Sequence, residues 1–200
     1  MKRSLLLVPA LASCLTLGCQ TAPEQVEEGA RIRGSIEALE RLQPADIAVT
    51  EVRNQTGDES LPIGVLRDGL SRALVQKLYS PLDHGYVDAN WVEASFRGTP
   101  APDAVLVVAV SQWDPSHLLS SGEVTAEAEL ILFEGGTSTG TVLWGITHLA
   151  SVNLGDANGN PPTPSEDLLP RAVRQIAEEF LSTLPERDPI AAHPVAGTAP

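Results

Sequence analysis

Two cysteines, four histidines and a few oxygen-rich loops are the residues of this chain whose types could carry chemistry. Cys14 and Cys19 both lie near the start, and no cysteine follows them. A thiol can be alkylated, and a single one left in an exported chain has no disulfide partner. His84, His117, His148 and His193 never take the HxxxH or HxH spacing that sets two imidazoles on one metal ion. His148 is expected on the inward-alternating face of a strand, partly buried and hydrogen-bonded. The GxSxG string Gly136-Thr137-Ser138-Thr139-Gly140 falls in an expected hairpin turn, not in a strand-to-helix elbow, and no SxxK pair occurs. Gly135, Gly136 and Gly140 lack the frame of a phosphate-binding loop and read as a hairpin turn. A hydrolase would have to gather its site from distant residues, with Asp114, His117 and His148 as the set to look for. The expectation is a chain without catalytic residues, metal ligands or cofactor.

Two loops invite a second reading. Asn54 to Ser60 joins a strand to a helix, where open α/β sheets bind ligands and a helix N-terminus can hold an anion. Asp58 and Glu59 already bring negative charge to that place, so a self-capped loop is expected. Asp156, Asn158, Asn160 and Asp167 imitate the oxygen pattern of an EF-hand. Pro161 stands where that loop needs a glycine, which weighs against calcium.

The cysteines sit in a segment of distinct composition. Lys2 and Arg3 precede an apolar run from Leu5 to Leu17. The run is too short to cross a hydrocarbon core of about 30 Å as a helix, and it has the length and flanks of a secretory signal. Its end, Thr16-Leu17-Gly18-Cys19, resembles the lipobox of bacterial lipoproteins. The resemblance implies diacylglycerol on the Cys19 sulfur, cleavage by signal peptidase II between Gly18 and Cys19, and acylation of the new amino group. Leu11-Ala12-Ser13-Cys14 fits the residue pattern better but leaves an apolar run of only about seven residues. Cys19 is favoured and Cys14 stays open.

The charge balance narrows the partners. The chain carries 13 Lys and Arg against 26 Asp and Glu, a formal charge of −13. Loss of residues 1–18 removes Lys2 and Arg3 and no acid, leaving 11 basic residues, 26 acidic ones and a charge of −15. Such a surface repels nucleic acid and anionic headgroups. The membrane partner is expected through the lipid anchor, and other partners are expected among envelope proteins.

Periodicity supplies the elements. Residues 1–18 read as a lipoprotein signal, 19–45 as a tether with a helix over 27–42, 46–184 as an α/β domain, and 185–200 as a disordered tail. Ile47 to Val52 is β-branched and reads as a strand. Pro62 opens an amphipathic helix in which Ile63, Leu66, Leu70, Ala73, Leu74 and Leu78 line one face. Arg67, Asp68, Arg72 and Gln76 are assigned to its other side, and Gly69 weakens it slightly. Gly85 to Asp88 reads as a short strand and Ala89 to Phe96 as a short helix. Ala104 to Val110, apolar on both faces, reads as a central strand. Glu123 to Phe133 alternates, with Val124, Ala126, Ala128, Leu130 and Leu132 on one side, and pairs with Thr141 to Val152 in a long antiparallel hairpin. A last helix buries Ala172, Val173, Ile176, Ala177, Phe180, Leu181 and Leu184. The fold class is α/β, a mixed sheet with helices packed on it.

The phrases DIAVTEVRNQTG, QKLYSPLD, DAVLVVAVSQWD and TVLWGITH, in this order of elements, resemble a group of envelope lipoproteins over about residues 46–184. The group includes the amino-terminal domain of TolB, CsgG, LpoB and the DUF799-type lipoproteins. The resemblance implies an anticodon-binding-domain-like fold and a non-enzymatic role in docking or assembly. The alternatives it implies are an oligomeric secretion or transport component similar to CsgG, and a peptidoglycan-synthase activator similar to LpoB. The hairpin is too polar and too short for the membrane-inserting hairpins of CsgG, and the tether is shorter than that of LpoB. Gln20 after Cys19, in place of aspartate, resembles an outer-membrane address on the periplasmic face.

Overall fold

A computed structural model describes residues 30–156 and 160–189. The lipobox, Cys14, Cys19 and His193 lie outside the described residues. In chain order the elements are β1 (Ala30–Arg33), α1 (Ile36–Leu42), β2 (Asp46–Val49), β3 (Arg53–Asn54), α2 (Ile63–Gln76), β4 (Ser80–Pro81) and α3 (His84–Asn90). Then follow β5 (Trp91–Val92), β6 (Ser95–Phe96), β7 (Ala104–Asp114), β8 (Glu123–Glu134), β9 (Val142–Asn153) and α4 (Leu168–Phe180).

The long strands form a mixed sheet in the order β1-β9-β8-β7-β2-β4, with β3 also paired to β7. The β1-β9, β9-β8 and β8-β7 pairs are antiparallel; β7-β2 and β2-β4 are parallel. This is the mixed α/β architecture that the alternation of strand and helix signals predicts. Helices α1, α2 and α4 bury one face, in a cluster that includes Leu39, Leu70, Leu74, Leu106, Leu130, Ile146, Ile176 and Phe180. Each such side chain contributes ~1.5–3 kcal/mol by leaving water. The period-two pattern of β8 shows directly: Val124, Ala126, Ala128, Leu130 and Leu132 are buried and their neighbours half-buried. The other face is covered only in part, where Val87 of α3 meets Ala48 and Val105, with Leu82, Trp91, Phe96 and Val107 around them.

Three expectations change. The helix expected over 27–42 starts only at Ile36, and Ala30–Arg33 is a strand on β9. Gly34 makes the break, at φ +100, where an added Cβ would stand 2.9 Å from the Leu143 carbonyl carbon and oxygen. Ser35 then caps α1 by accepting a hydrogen bond from Ala38 N. The short strand expected at Gly85–Asp88 is helix α3, because Asp83 Oδ1 accepts from Tyr86 N and caps it. The short helix expected at Ala89–Phe96 is the β5-β6 hairpin, turning on Glu93 and Ala94 at φ +48 and +67. Trp91 and Phe96 face inward and Val92 is exposed.

Candidate functional site

The polar residues of the structure gather at the carboxyl end of β2. Parallel pairing gives Ile47 O a donor in Leu82 N, but β4 is two residues long and ends there. Val49 O, the next carbonyl on that side, has no strand to receive it. Arg67 of α2 takes the missing strand's place: its Nε and Nη2 donate to Val49 O at 3.1 and 2.7 Å. Its Nη1 and Nη2 also donate to Asp88 of α3, to Oδ2 at 2.9 Å and Oδ1 at 2.7 Å. One planar fork thus closes a sheet edge and ties α2 to α3. The Arg67 hydrogen bond holds the Asp88 carboxyl below its usual range; burial opposes it less strongly, and the charges of Arg67 and His84 add smaller downward pulls. Arg67 belongs to the buried face of α2, not to its outer side. It stands four residues after Ile63 and three before Leu70, within the apolar stripe, and that spacing was the signal.

Next to this clamp His84 bridges two residues of α2. Its Nε2 lies 2.8 Å from Ser71 Oγ and its Nδ1 lies 3.3 Å from Asp68 Oδ1. Serine, histidine and aspartate stand here in the order of a hydrolytic triad, a grouping the spacing of the chain does not announce. Ser71 lies inside α2, where backbone N–H groups are spent on helical hydrogen bonds. The helical backbone donors beside Ser71 are thus not free for the oxyanion that acyl transfer develops. The arrangement joins α3 to α2.

Beside the clamp a crevice of about 370 Å³ opens between Thr50, Glu51, Arg53, Asn54, Ile63 and Trp91. Thr50 is buried and its hydroxyl donates to Leu106 O at 3.2 Å. The Asn54–Ser60 loop on the rim satisfies its own polar groups, as expected, but Asp58 and Glu59 do not reach the start of α2, whose N-cap is Pro62 with no side-chain hydrogen bond and no acid in the first turn. Asn54 Oδ1 accepts from Thr56 N and Oγ1, Thr56 Oγ1 accepts from Asp58 N, and Asp58 Oδ1 accepts from Ser60 N.

The remaining sequence candidates do not converge. Asp114 Oδ1 accepts from Ser116 N in the turn that carries His117. His148 lies elsewhere, on the helix-covered face of β9, with Nε2 3.4 Å from Glu179 Oε1 and its ring edge-on to Phe180. It is partly buried as expected, but neither ring nitrogen has hydrogen-bond geometry to a described residue, so the expected hydrogen bond is not there. Asp156 accepts from Asn160 N and Nδ2, while residues 157–159 lie outside the described residues. Asp167 accepts from Ser165 Oγ instead. Among the described residues no group of three His, Cys, Asp or Glu is placed to hold a metal ion, and no helix is long and apolar enough to cross a membrane.

No family model matches the chain, and no curated protein matches it. Solved structures do. A point variant of the PelC dodecamer from Paraburkholderia phytofirmans is similar to it at 16% identity, over 80% of this chain and 98% of that one, with a TM-score of 0.50. The likeness is one of fold. The PelC dodecamer from the same organism in a second crystal form matches at 15% identity, over 76% and 96% of the two chains, with a TM-score of 0.48. Lipoprotein GNA1162 from Neisseria meningitidis matches at 18% identity, over 70% and 99%, with a TM-score of 0.42.

Proposed function

We propose that this chain is a lipid-anchored protein of a bacterial envelope whose α/β domain, over 46–184, docks to or assembles with other envelope proteins and catalyses no reaction. The observation that carries the reading is the end of the apolar run, Leu17-Gly18-Cys19. Acyl chains on Cys19 hold the protein at the bilayer, and three chains exceed the two signals that stable anchoring requires. Residues after Cys19 then keep the domain at high local concentration near the membrane. Gln20 supports an outer-membrane address, on the periplasmic face. The test is metabolic labelling with palmitate in a bacterial host. The native chain and a Cys14→Ser variant take up label and sediment with membranes, and Cys19→Ser does neither. Label retained by Cys19→Ser overturns the reading.

A second reading makes the chain a subunit of a closed homo-oligomer, as a secretion or transport component would be. The likeness in fold to a PelC dodecamer supports it. Crosslinking in membranes separates the two readings, because only a closed ring stops at one fixed size.

A further inference from the structure

On the solvent side of the helix layer, α2 and α4 enclose a groove of about 370 Å³. Gly69 forms its floor, Arg72 and Gln76 rise from α2, and Arg171, Arg174 and Glu178 rise from α4. Residues 69, 72 and 76 are spaced three and four apart, as are 171, 174 and 178, so each set makes one stripe on its helix. Gly69 costs α2 some helical propensity, and the structure shows its use. A Cβ there would stand 2.9 Å from the Ala177 Cβ. Without it the two helices close on each other and the space above stays open.

The charge in this groove runs against the rest of the molecule. The chain has 26 acidic residues for 13 Lys and Arg, yet three arginines face one another here beside a single carboxylate. That carboxylate, Glu178, receives Gln76 Nε2 at 3.5 Å. Arg33 and Arg67 each have a carboxylate partner. Among the described residues, the guanidinium groups of Arg72, Arg171 and Arg174 have no ion pair. Asp167, at the start of α4, accepts from the Ser165 hydroxyl at 2.6 Å, and that bond, with lesser help from the charges of Arg171 and Arg174, keeps its carboxyl below the usual range without an ion pair to either arginine. Like charges lining one groove repel, and a bound anion relieves that repulsion. Guanidinium forks match the paired oxygens of a phosphate group.

We propose that the α2–α4 groove is a binding site for a phosphate-bearing anion, with Arg72, Arg171 and Arg174 as its ligands. A phosphorylated lipid headgroup and a soluble phosphate compound present the same chemistry. Because the arginines are open to solvent, binding weakens steeply as salt rises.

The experiment is calorimetric titration of pyrophosphate into the full chain, purified in detergent, at low ionic strength and again with added sodium chloride. Saturable binding at one site is expected, weakened at least tenfold by Arg174→Gln and by the more exposed Arg72→Gln. Arg41→Gln, on α1, leaves the affinity within twofold. Circular dichroism verifies that each variant is folded. Sedimentation with vesicles of phosphatidylcholine, with and without phosphatidate, then identifies the source. Retention on phosphatidate vesicles that Arg174→Gln abolishes assigns the groove to a headgroup, and pyrophosphate binding without retention assigns it to a soluble compound. No saturable heat with pyrophosphate, or equal affinity in Arg174→Gln and the native chain, overturns the proposal.

Discussion

Replacing Asp88 by asparagine tests the clamp at the end of β2. The Arg67 side chain is 9% exposed and Asp88 is 54% exposed, so the substitution strands a guanidinium that water barely reaches. The native pair makes two charge-assisted hydrogen bonds, at 2.7 and 2.9 Å. Asparagine keeps one acceptor oxygen and loses the countercharge. A charge-assisted bond contributes ~1.5–3 kcal/mol, and solvent at the exposed carboxylate screens part of that. The expected cost is about 2 kcal/mol, which for a chain of this size lowers Tm by about 4–8 °C. The pH dependence carries a second signature. The Asp88 carboxyl lies below its ordinary 3.8 in the folded state, chiefly through the Arg67 hydrogen bond. A depressed carboxylate contributes its stability fully above the unfolded value and loses it as pH falls through the folded one. Calorimetric melts from pH 7 down to about pH 3 should therefore show the gap between native and Asp88→Asn narrowing only in the acid range. An Arg67→Met, Asp88→Asn double variant should lose less than the two single variants together. A gap smaller than about 0.5 kcal/mol at pH 7 would refute the clamp as a stabilising element, because that is the size expected of an unremarkable surface change.

Two further substitutions test other joints of the fold. Gly34→Ala forces a side chain into φ +100 and against the Leu143 carbonyl, so urea unfolding should show a loss of at least about 2 kcal/mol. The Tyr79 hydroxyl donates to Pro185 O at 3.0 Å, and burial pushes its pKa up to about 12, with Arg187 opposing. Ultraviolet titration should find this phenol ionising near there, with stability declining between the unfolded value of 10.0 and about 12. Tyr79→Phe should remove that step and cost about 1 kcal/mol.

The parts of the fold that are legible in the sequence are those where one physical signal acts alone. The apolar stripe of α4 runs from Leu168 to Phe180, and the alternation of β8 holds from Glu123 to Phe133. Where two signals compete, the sequence misleads. Charged residues across 27–42 suit a helix, but Gly34 and Ser35 divide the stretch into a strand and a capped turn of helix. The β5-β6 hairpin turns on Glu93 and Ala94, which lack the Asn-Gly chemistry that marks such turns. The site was harder to read, because its logic depends on strand lengths. Arg67 is called into the core by a carbonyl that β4 is too short to reach. Nothing in the local pattern of α2 reports how many residues β4 will have.

The brevity of β4 has a consequence for assembly. Its outer side is presented by two residues, one of which is Pro81 and has no amide hydrogen to offer. A second copy of the chain cannot extend the sheet by hydrogen-bonding along this border, which guards against runaway polymerisation. Copies that meet at this border must grip through side chains, where contact can be specific and can end at a defined number.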